Sequence, residues 1–307
     1  MKVAIVRREC GLGFGGAEAY CANVAKGLKE AGHDVVVVGR LSKVREVPWV
    51  EARMRGRGSI AKNLSFFFSV KKVIERGGFE CVYGLSRIPN ADFLRISDPL
   101  HKIWLELGYE GRLLPPFIRR FMPRHAALLW QERQAIASAR YIITNSNLVK
   151  RQLCTAYERP ANSVFTLYNG VDLERFTPVS RGEKQALKRA LGLKDKELML
   201  LFAGVDFRRK GFEVLLRALS RLKGKGNLKL FAAGFNPSGA LKGLVNELGL
   251  SDRVVFLGYR KDSEMLYRAA DLFCLPTSYD PFANACLEAM ACGVPVVTTA
   301  QNGAAEL

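Results

Sequence analysis

Two carboxylates eight positions apart, Asp280 and Glu288, stand in the stretch SYDPFANACLEAM (278–290). Asp280 falls in a loop after an apolar run, whereas Glu288 falls about two turns into a helical pattern, so both can reach one cleft from different heights. Carboxylates accept hydrogen bonds from sugar hydroxyls, and amides at a helix start receive a phosphate or another polar ligand. A loop aspartate capping the helix explains Asp280 as well, but it gives Glu288, set between Leu287 and Ala289, less of a reason. A second stretch, GVDFRRKG (204–211), puts Arg208, Arg209 and Lys210 between a strand pattern and a helix. Cations at a strand's carboxyl end suit a diphosphate that gains charge as it departs, with a solvated charge run as the plainer alternative.

Two further stretches lie earlier. GLGFGGAEAY (11–20) carries Gly15 and Gly16 between a strand and a helix, where backbone N–H groups can approach a phosphate. Its spacing matches neither G-x-G-x-x-G nor G-x-x-x-x-G-K-[ST], and glycines also serve as plain turns. RISDPLHKIW (95–104) offers Asp98 and His101 to position or deprotonate a hydroxyl, although a lone histidine is more often a core residue.

The elements that must position these residues follow from periodicity. KVAIV (2–6) and DVVVV (34–38) are β-branched runs separated by a helical pattern from about Ala17 to Ala31, which makes a β-α-β unit. ECVYGL and ARYIITNS continue the pattern, so the first half reads as a mainly parallel sheet covered by helices. The pattern breaks at the Asn-Gly turn and proline of LYNGVDLERFTPV (167–179). Beyond it LMLLFAGV, LKLFAAG, RVVFLG, DLFCLP and PVVTT alternate with helical stretches, which predicts a second doubly wound sheet. The expected domains are 1–166 and 167–307, α/β and Rossmann-like, facing a cleft between the carboxyl ends of their strands.

Bulk composition narrows the function classes. The 307 residues, 49% apolar, are enough for two cored domains, and no run of eighteen apolar residues or signal-peptide pattern occurs. A cytoplasmic location is expected. Seven cysteines without a C-x-x-C pair point to reduced thiols rather than a disulfide framework or zinc site. A formal charge of +18 suits nucleic acid, an anionic membrane or phosphorylated substrates. Charge by itself leaves a basic nucleic-acid-binding protein open, but no zinc-finger, RRM or helix-turn-helix signature supports it.

In order along the chain, FGGAEAYCANVAKGLKEAGHDVVVV, YNGVDLERFTP, FRRKG and DPFANACLEAMACGVPVVTT resemble the retaining, nucleotide-sugar-dependent glycosyltransferases of family 4. The similarity is strongest to lipopolysaccharide-core glucosyltransferases. The resemblance implies the GT-B architecture and a chain that ends at Leu307 before the family's last helices, so a non-catalytic nucleotide-sugar binder is a second reading. By motif, the backbone at Gly15 and Gly16 would approach the donor phosphate, and Arg209 and Lys210 would hold the diphosphate. Glu288 would bind ribose hydroxyls, Asp280 would meet the donor sugar, and the backbone of Phe282, Ala283 and Asn284 would line the donor site. The donor is expected to be a UDP-sugar, a substrate rather than a cofactor, and the acceptor a lipid-linked or lipopolysaccharide-core glycan. No D-x-D signature is present, and the resemblance implies chemistry without a metal; nucleic acid is not an expected partner.

Residues 102–134, KIWLELGYEGRLLPPFIRRFMPRHAALLWQERQ, interleave Trp104, Leu113, Leu114, Phe117, Ile118, Phe121 and Trp130 with Arg112, Arg119, Arg120 and Arg124. That mixture predicts peripheral docking on an anionic membrane, at the inner face of the cytoplasmic membrane, unless the apolar positions simply pack inward.

Overall fold

The structure, a computed structural model, describes residues 1–11, 16–107, 116–222 and 227–307. The chain divides into two compact units, Met1–Tyr168 and Asn169–Leu307. In the first, the order is β1 (Lys2–Val6), β2 (Glu9–Cys10), α1 (Gly16–Glu30), β3 (Asp34–Gly39), β4 (Leu41–Ser42), β5 (Trp49–Glu51), α2 (Gly58–Gly77), β6 (Cys81–Gly84) and β7 (Phe93–Ile96). Then come α3 (His101–Leu107), α4 (Pro116–Arg119), α5 (Pro123–Ser138), β8 (Tyr141–Thr144), α6 (Asn147–Tyr157) and β9 (Val164–Thr166). Seven strands form one parallel sheet in the order β5-β3-β1-β6-β7-β8-β9.

Alternation along β1 explains why its sequence is an unbroken apolar run. Ala4 and Val6 belong to one core cluster, with Phe66, Ile136 and Leu153, whereas Val3 and Ile5 belong to another, with Cys21 and Ala25. Helices cover both faces, so successive side chains are all withdrawn from water. Short strands are what the sequence pattern shows poorly. The edge strand β5 is exposed at all three positions, and β9 is buried only at Val164, so neither carries an apolar run.

The second unit contains α7 (Arg181–Ala190), β10 (Leu198–Ala203), α8 (Phe212–Arg221), β11 (Leu228–Ala233), α9 (Gly239–Glu247) and β12 (Val254–Gly258). It continues with α10 (Ser263–Ala269), β13 (Leu272–Leu275), α11 (Asn284–Ala291) and β14 (Val296–Thr298). Its parallel sheet runs β12-β11-β10-β13-β14. Edge-to-face rings of Phe202, Phe212 and Phe235 pack under α8, with Phe202 and Phe212 centroids 4.9 Å apart.

Both sheets reverse their winding direction beside their first strand. In the first unit, β1 leads outward to β3 and β5 on one side, and β6 to β9 lie on the other; in the second unit the reversal falls between β10 and β13. Loops diverge at such a point and leave a crevice outside the carboxyl ends of the strands. Both chemical clusters of this chain lie at these two places.

Candidate functional site

In the second unit, the loop after β10 carries Arg209 and Lys210 and the loop after β13 carries Asp280. Arg209 Nη1 donates to Asp280 Oδ2 at 2.9 Å and to the Tyr279 carbonyl at 2.8 Å, and Lys210 Nζ also donates to Asp280 Oδ2. Asp280 is 6% exposed. Burial would raise its pKa, but the charges of Lys210 and Arg209 outweigh burial and hold the carboxyl below the usual aspartate range. The three residues thus form one charged junction across the sheet's reversal point.

Local backbone geometry builds this junction. Gly211 ends the cation-bearing turn with φ +78, and a Cβ there would fall 1.9 Å from the Pro276 carbonyl oxygen. Only glycine combines that left-handed φ with so close an approach of the two loops. The Arg209 carbonyl accepts from Ser278 N and Thr277 Oγ1, each at 2.9 Å. Asn302 fastens the far side: its Oδ1 accepts from Ala283 N and Ala304 N, both at 3.1 Å, and its Nδ2 donates to Thr298 Oγ1 at 2.9 Å. No sequence pattern marked Asn302 or Thr277, because the contacts by which they fasten the loops, to Ala283 N and to the Arg209 carbonyl, reach across 19 and 68 residues.

The turn before α11 is already engaged internally. Phe282 N donates to Asp280 Oδ1 at 3.2 Å, Ala283 N is held by Asn302, and both side chains are buried. Asn284 is exposed and its Oδ1 accepts from Asn169 Nδ2 at 2.7 Å, which ties the YNG turn to the helix start. A ligand at this turn therefore meets Asn284 more openly than the Phe282 and Ala283 amides.

Glu288 lies in the second turn of α11, half-buried, hydrogen-bonded by the Tyr267 hydroxyl of α10. Burial raises the Glu288 pKa, while the bond from Tyr267 opposes the rise. Tyr267 also lines a cavity of about 190 Å³ with Ala203, Gly234 and Tyr259, at the ends of β10 to β12. Aromatic walls, closely approaching backbone and an adjacent carboxylate suit a planar heterocycle joined to a diol. Sequence reasoning missed Tyr259 and Tyr267; a tyrosine in a helical pattern reads simply as core.

In the first unit, a cavity of about 440 Å³ opens at the β1/β6 reversal, lined by Arg7, Arg8, Arg87, Asp98 and Glu132 among others. Asp98 is exposed into it, but His101 does not line it. The His101 ring is buried and stacked on His125, with Nε2 3.1 Å from His125 Nδ1. Burial pushes its pKa down to about 4, so the imidazole is neutral near pH 7. Glu132, 3% exposed, accepts from His101 N at 2.6 Å, Lys102 N at 3.1 Å and Arg87 Nε at 3.1 Å, thereby fixing the start of α3 beside the cavity. Sequence spacing joined Asp98 to His101; the fold separates them because α3 begins at His101 and turns the histidine inward. Gly15 lies outside the described residues, and Gly16 opens α1.

Of the interleaved stretch 102–134, residues 108–115, including Arg112, Leu113 and Leu114, lie outside the described residues, as does the side chain of Phe117. Phe121 is 72% exposed, and Ile118, Met122, Arg120 and Arg124 are exposed beside it. Trp130, 40% exposed, packs on Phe67 and Phe68, at centroid distances of 5.4 and 6.1 Å. Arg119 corrects the expectation for this segment: at 5% exposure its side chain is folded inward rather than offered at the surface. Among the described residues, no helix is long and apolar enough to cross a membrane.

A family model described as Glycosyltransferase Family 4 matches residues 14–175, and one described as Glycosyl transferases group 1 matches residues 183–307. An uncharacterized glycosyltransferase of Methanocaldococcus jannaschii, MJ1607, is 29% identical over 100% of this chain and 82% of its own length. A D-inositol 3-phosphate glycosyltransferase of Mycobacterium sp. strain KMS is 36% identical over 56% of this chain, a match that spans 40% of that protein. Among solved structures, WaaG, a glycosyltransferase involved in lipopolysaccharide biosynthesis, superimposes with TM-score 0.82 at 22% identity, covering 99% of this chain and 82% of its own. Anabaena HepE, in complex with UDP and glucose, gives TM-score 0.71 at 20% identity, covering 100% and 82%.

Proposed function

Since the chain belongs to Glycosyltransferase Family 4, we propose that it moves a hexose, glucose from a UDP-sugar, onto a lipid-linked or lipopolysaccharide-core glycan with retention of anomeric configuration. The observation that carries this reading is the convergence of Arg209 and Lys210 on Asp280 at the β10/β13 reversal, with Glu288 and Tyr267 beside a cavity. The cavity receives the base, Glu288 accepts from the ribose hydroxyls, and the two cations take the diphosphate. As the sugar–phosphate bond breaks, the cations stabilise the charge gathering on the leaving oxygen, a role a divalent ion fills elsewhere. In a front-face reaction that same oxygen takes the proton of the incoming acceptor hydroxyl. The first unit's cavity holds the acceptor, with Asp98 orienting the hydroxyl. HepE, which binds UDP and glucose, and WaaG support this choice of donor and acceptor as structural neighbours.

Calorimetry with UDP tests the donor half. Binding is expected to persist in excess chelator, and Glu288→Gln is expected to weaken it by roughly 1–3 kcal/mol, the scale of a lost charge-assisted hydrogen bond. Strict dependence on magnesium or manganese, or an unchanged affinity in the variant, would sink this assignment.

We further propose that Ile118, Phe121 and Met122, with Arg120 and Arg124, seat the protein on the inner face of an anionic membrane, where a lipid-linked acceptor resides. Apolar side chains enter the headgroup boundary, and each cation contributes on the order of 1 kcal/mol near the surface. Wild-type protein should co-sediment with anionic vesicles, release in salt, and lose binding in Arg120→Glu/Arg124→Glu. Arg119 is left intact, because reversing a buried charge tests folding instead. Equal binding to neutral vesicles would count against the proposal.

A further inference from the structure

Most of the charges that line the cavity of the first unit are committed to ion pairs. Glu18 pairs with Arg7 at 2.8 Å, Glu132 with Arg87 at 3.1 Å, and Glu9 with Arg40. Arg8 makes no ion pair among the described residues. Its Nη2 donates to Asn63 Oδ1, and its guanidinium lies 5.6 Å from the centroid of Phe66. These two contacts hold the planar group in place on one face and at one nitrogen, and leave other N–H donors of the fork for a ligand.

The electrostatics point the same way. Arg8 is exposed to the cavity yet surrounded by protein, and burial followed by the positive charges of Arg87 and Arg7 lowers its pKa, against weaker opposing pulls from Asp98 and Glu9. A guanidinium crowded by like charges, with Glu9, Glu18 and Glu132 paired to other arginines, gains from an added anion. Asp98 lines the same cavity and is suited to accept from a hydroxyl rather than to neutralise Arg8 at ion-pair distance. We propose that the molecule bound in this cavity is a sugar or polyol bearing an anionic group, a phosphate or a carboxylate, with the anion on Arg8 and a hydroxyl on Asp98. The proposal rests on the reading of this cavity as the acceptor site and specifies the acceptor's chemistry.

Titration of the full chain with glucose 6-phosphate, glucuronate and glucose tests it. At least one of the two anionic hexoses should bind about tenfold or more tightly than glucose, as expected for a charge-assisted bidentate contact, and which one binds distinguishes phosphate from carboxylate. Arg8→Gln should erase that preference, and Arg8→Lys should keep part of it, which separates loss of charge from loss of fold. Comparison with Arg8→Gln also removes any contribution from anions held by Arg209 and Lys210 in the other unit. Equal binding of all three probes, no binding of any, or a preference that survives Arg8→Gln overturns the proposal. UDP titrated into the same wild-type protein reads the donor assignment independently: its failure alongside a retained Arg8-dependent preference would sink the donor reading and not this one.

Discussion

Lys210→Ala should lower UDP-glucose turnover by a factor of about 100 to 1,000, the range seen when one preorganised donor to a developing oxyanion is removed. Lys210 Nζ reaches the charged junction from the β10 side, and its side chain is only 13% exposed, so bulk water replaces it poorly. Arg209 remains on Asp280 at 2.9 Å, which keeps the junction closed in the variant. Initial rates of donor hydrolysis, measured with and without acceptor, supply the test, and Lys210→Arg is expected to recover part of the loss. A decrease under tenfold in a folded Lys210→Ala protein would remove leaving-group stabilisation from this residue.

The second large effect is on stability. Asp280→Ala should destabilise the second unit by about 3 kcal/mol, at the lower end for breaking a buried pair because Arg209 and Lys210 keep 20% and 13% exposure. The loss should show in urea denaturation followed by far-ultraviolet circular dichroism. Tryptophan fluorescence should change little, because Trp49, Trp104 and Trp130 all belong to the first unit. The pH dependence has a definite sign. Asp280 has a folded pKa below its unfolded value, so its contribution is present above the ordinary carboxylate range and is lost as pH falls through the folded pKa. The stability gap between wild type and Asp280→Asn should therefore narrow below about pH 4. A gap that widens with acid, or an alanine variant as stable as wild type, would show that the junction does not hold the two loops together.

Asp280 also shows how a residue's chemistry outruns its sequence context. Its position relative to Glu288 suggested contact with a sugar, yet in the folded chain Oδ1 accepts from Phe282 N and Oδ2 from two cations. Its first task is to orient Arg209 and Lys210, and a donor diphosphate would share those cations with it. His101 went the other way: a polar residue near Asp98 in the chain became a neutral, buried ring on His125. Both differences arise because a side chain's role depends on what other segments bring to it.

The sequence by itself determined the two parallel-sheet units. A short run rich in β-branched residues such as that from Val3 to Val6, set ahead of a helical pattern, favours a strand covered on both faces. It also marked the cation-bearing loop at 204–211 and the helix that carries Glu288, since both follow strands and precede or occupy amphipathic stretches. Tertiary structure alone decided which groups pair: Asp280 with residues 70 and 71 positions away, Asn302 with Ala283 across 19, and Arg8 left without the carboxylates that Arg7, Arg40 and Arg87 had taken. Periodicity is a local property, set by steric limits within a few residues. Charge pairing is settled by distances between loops that meet only when the sheet reverses its winding, and no local pattern encodes those distances.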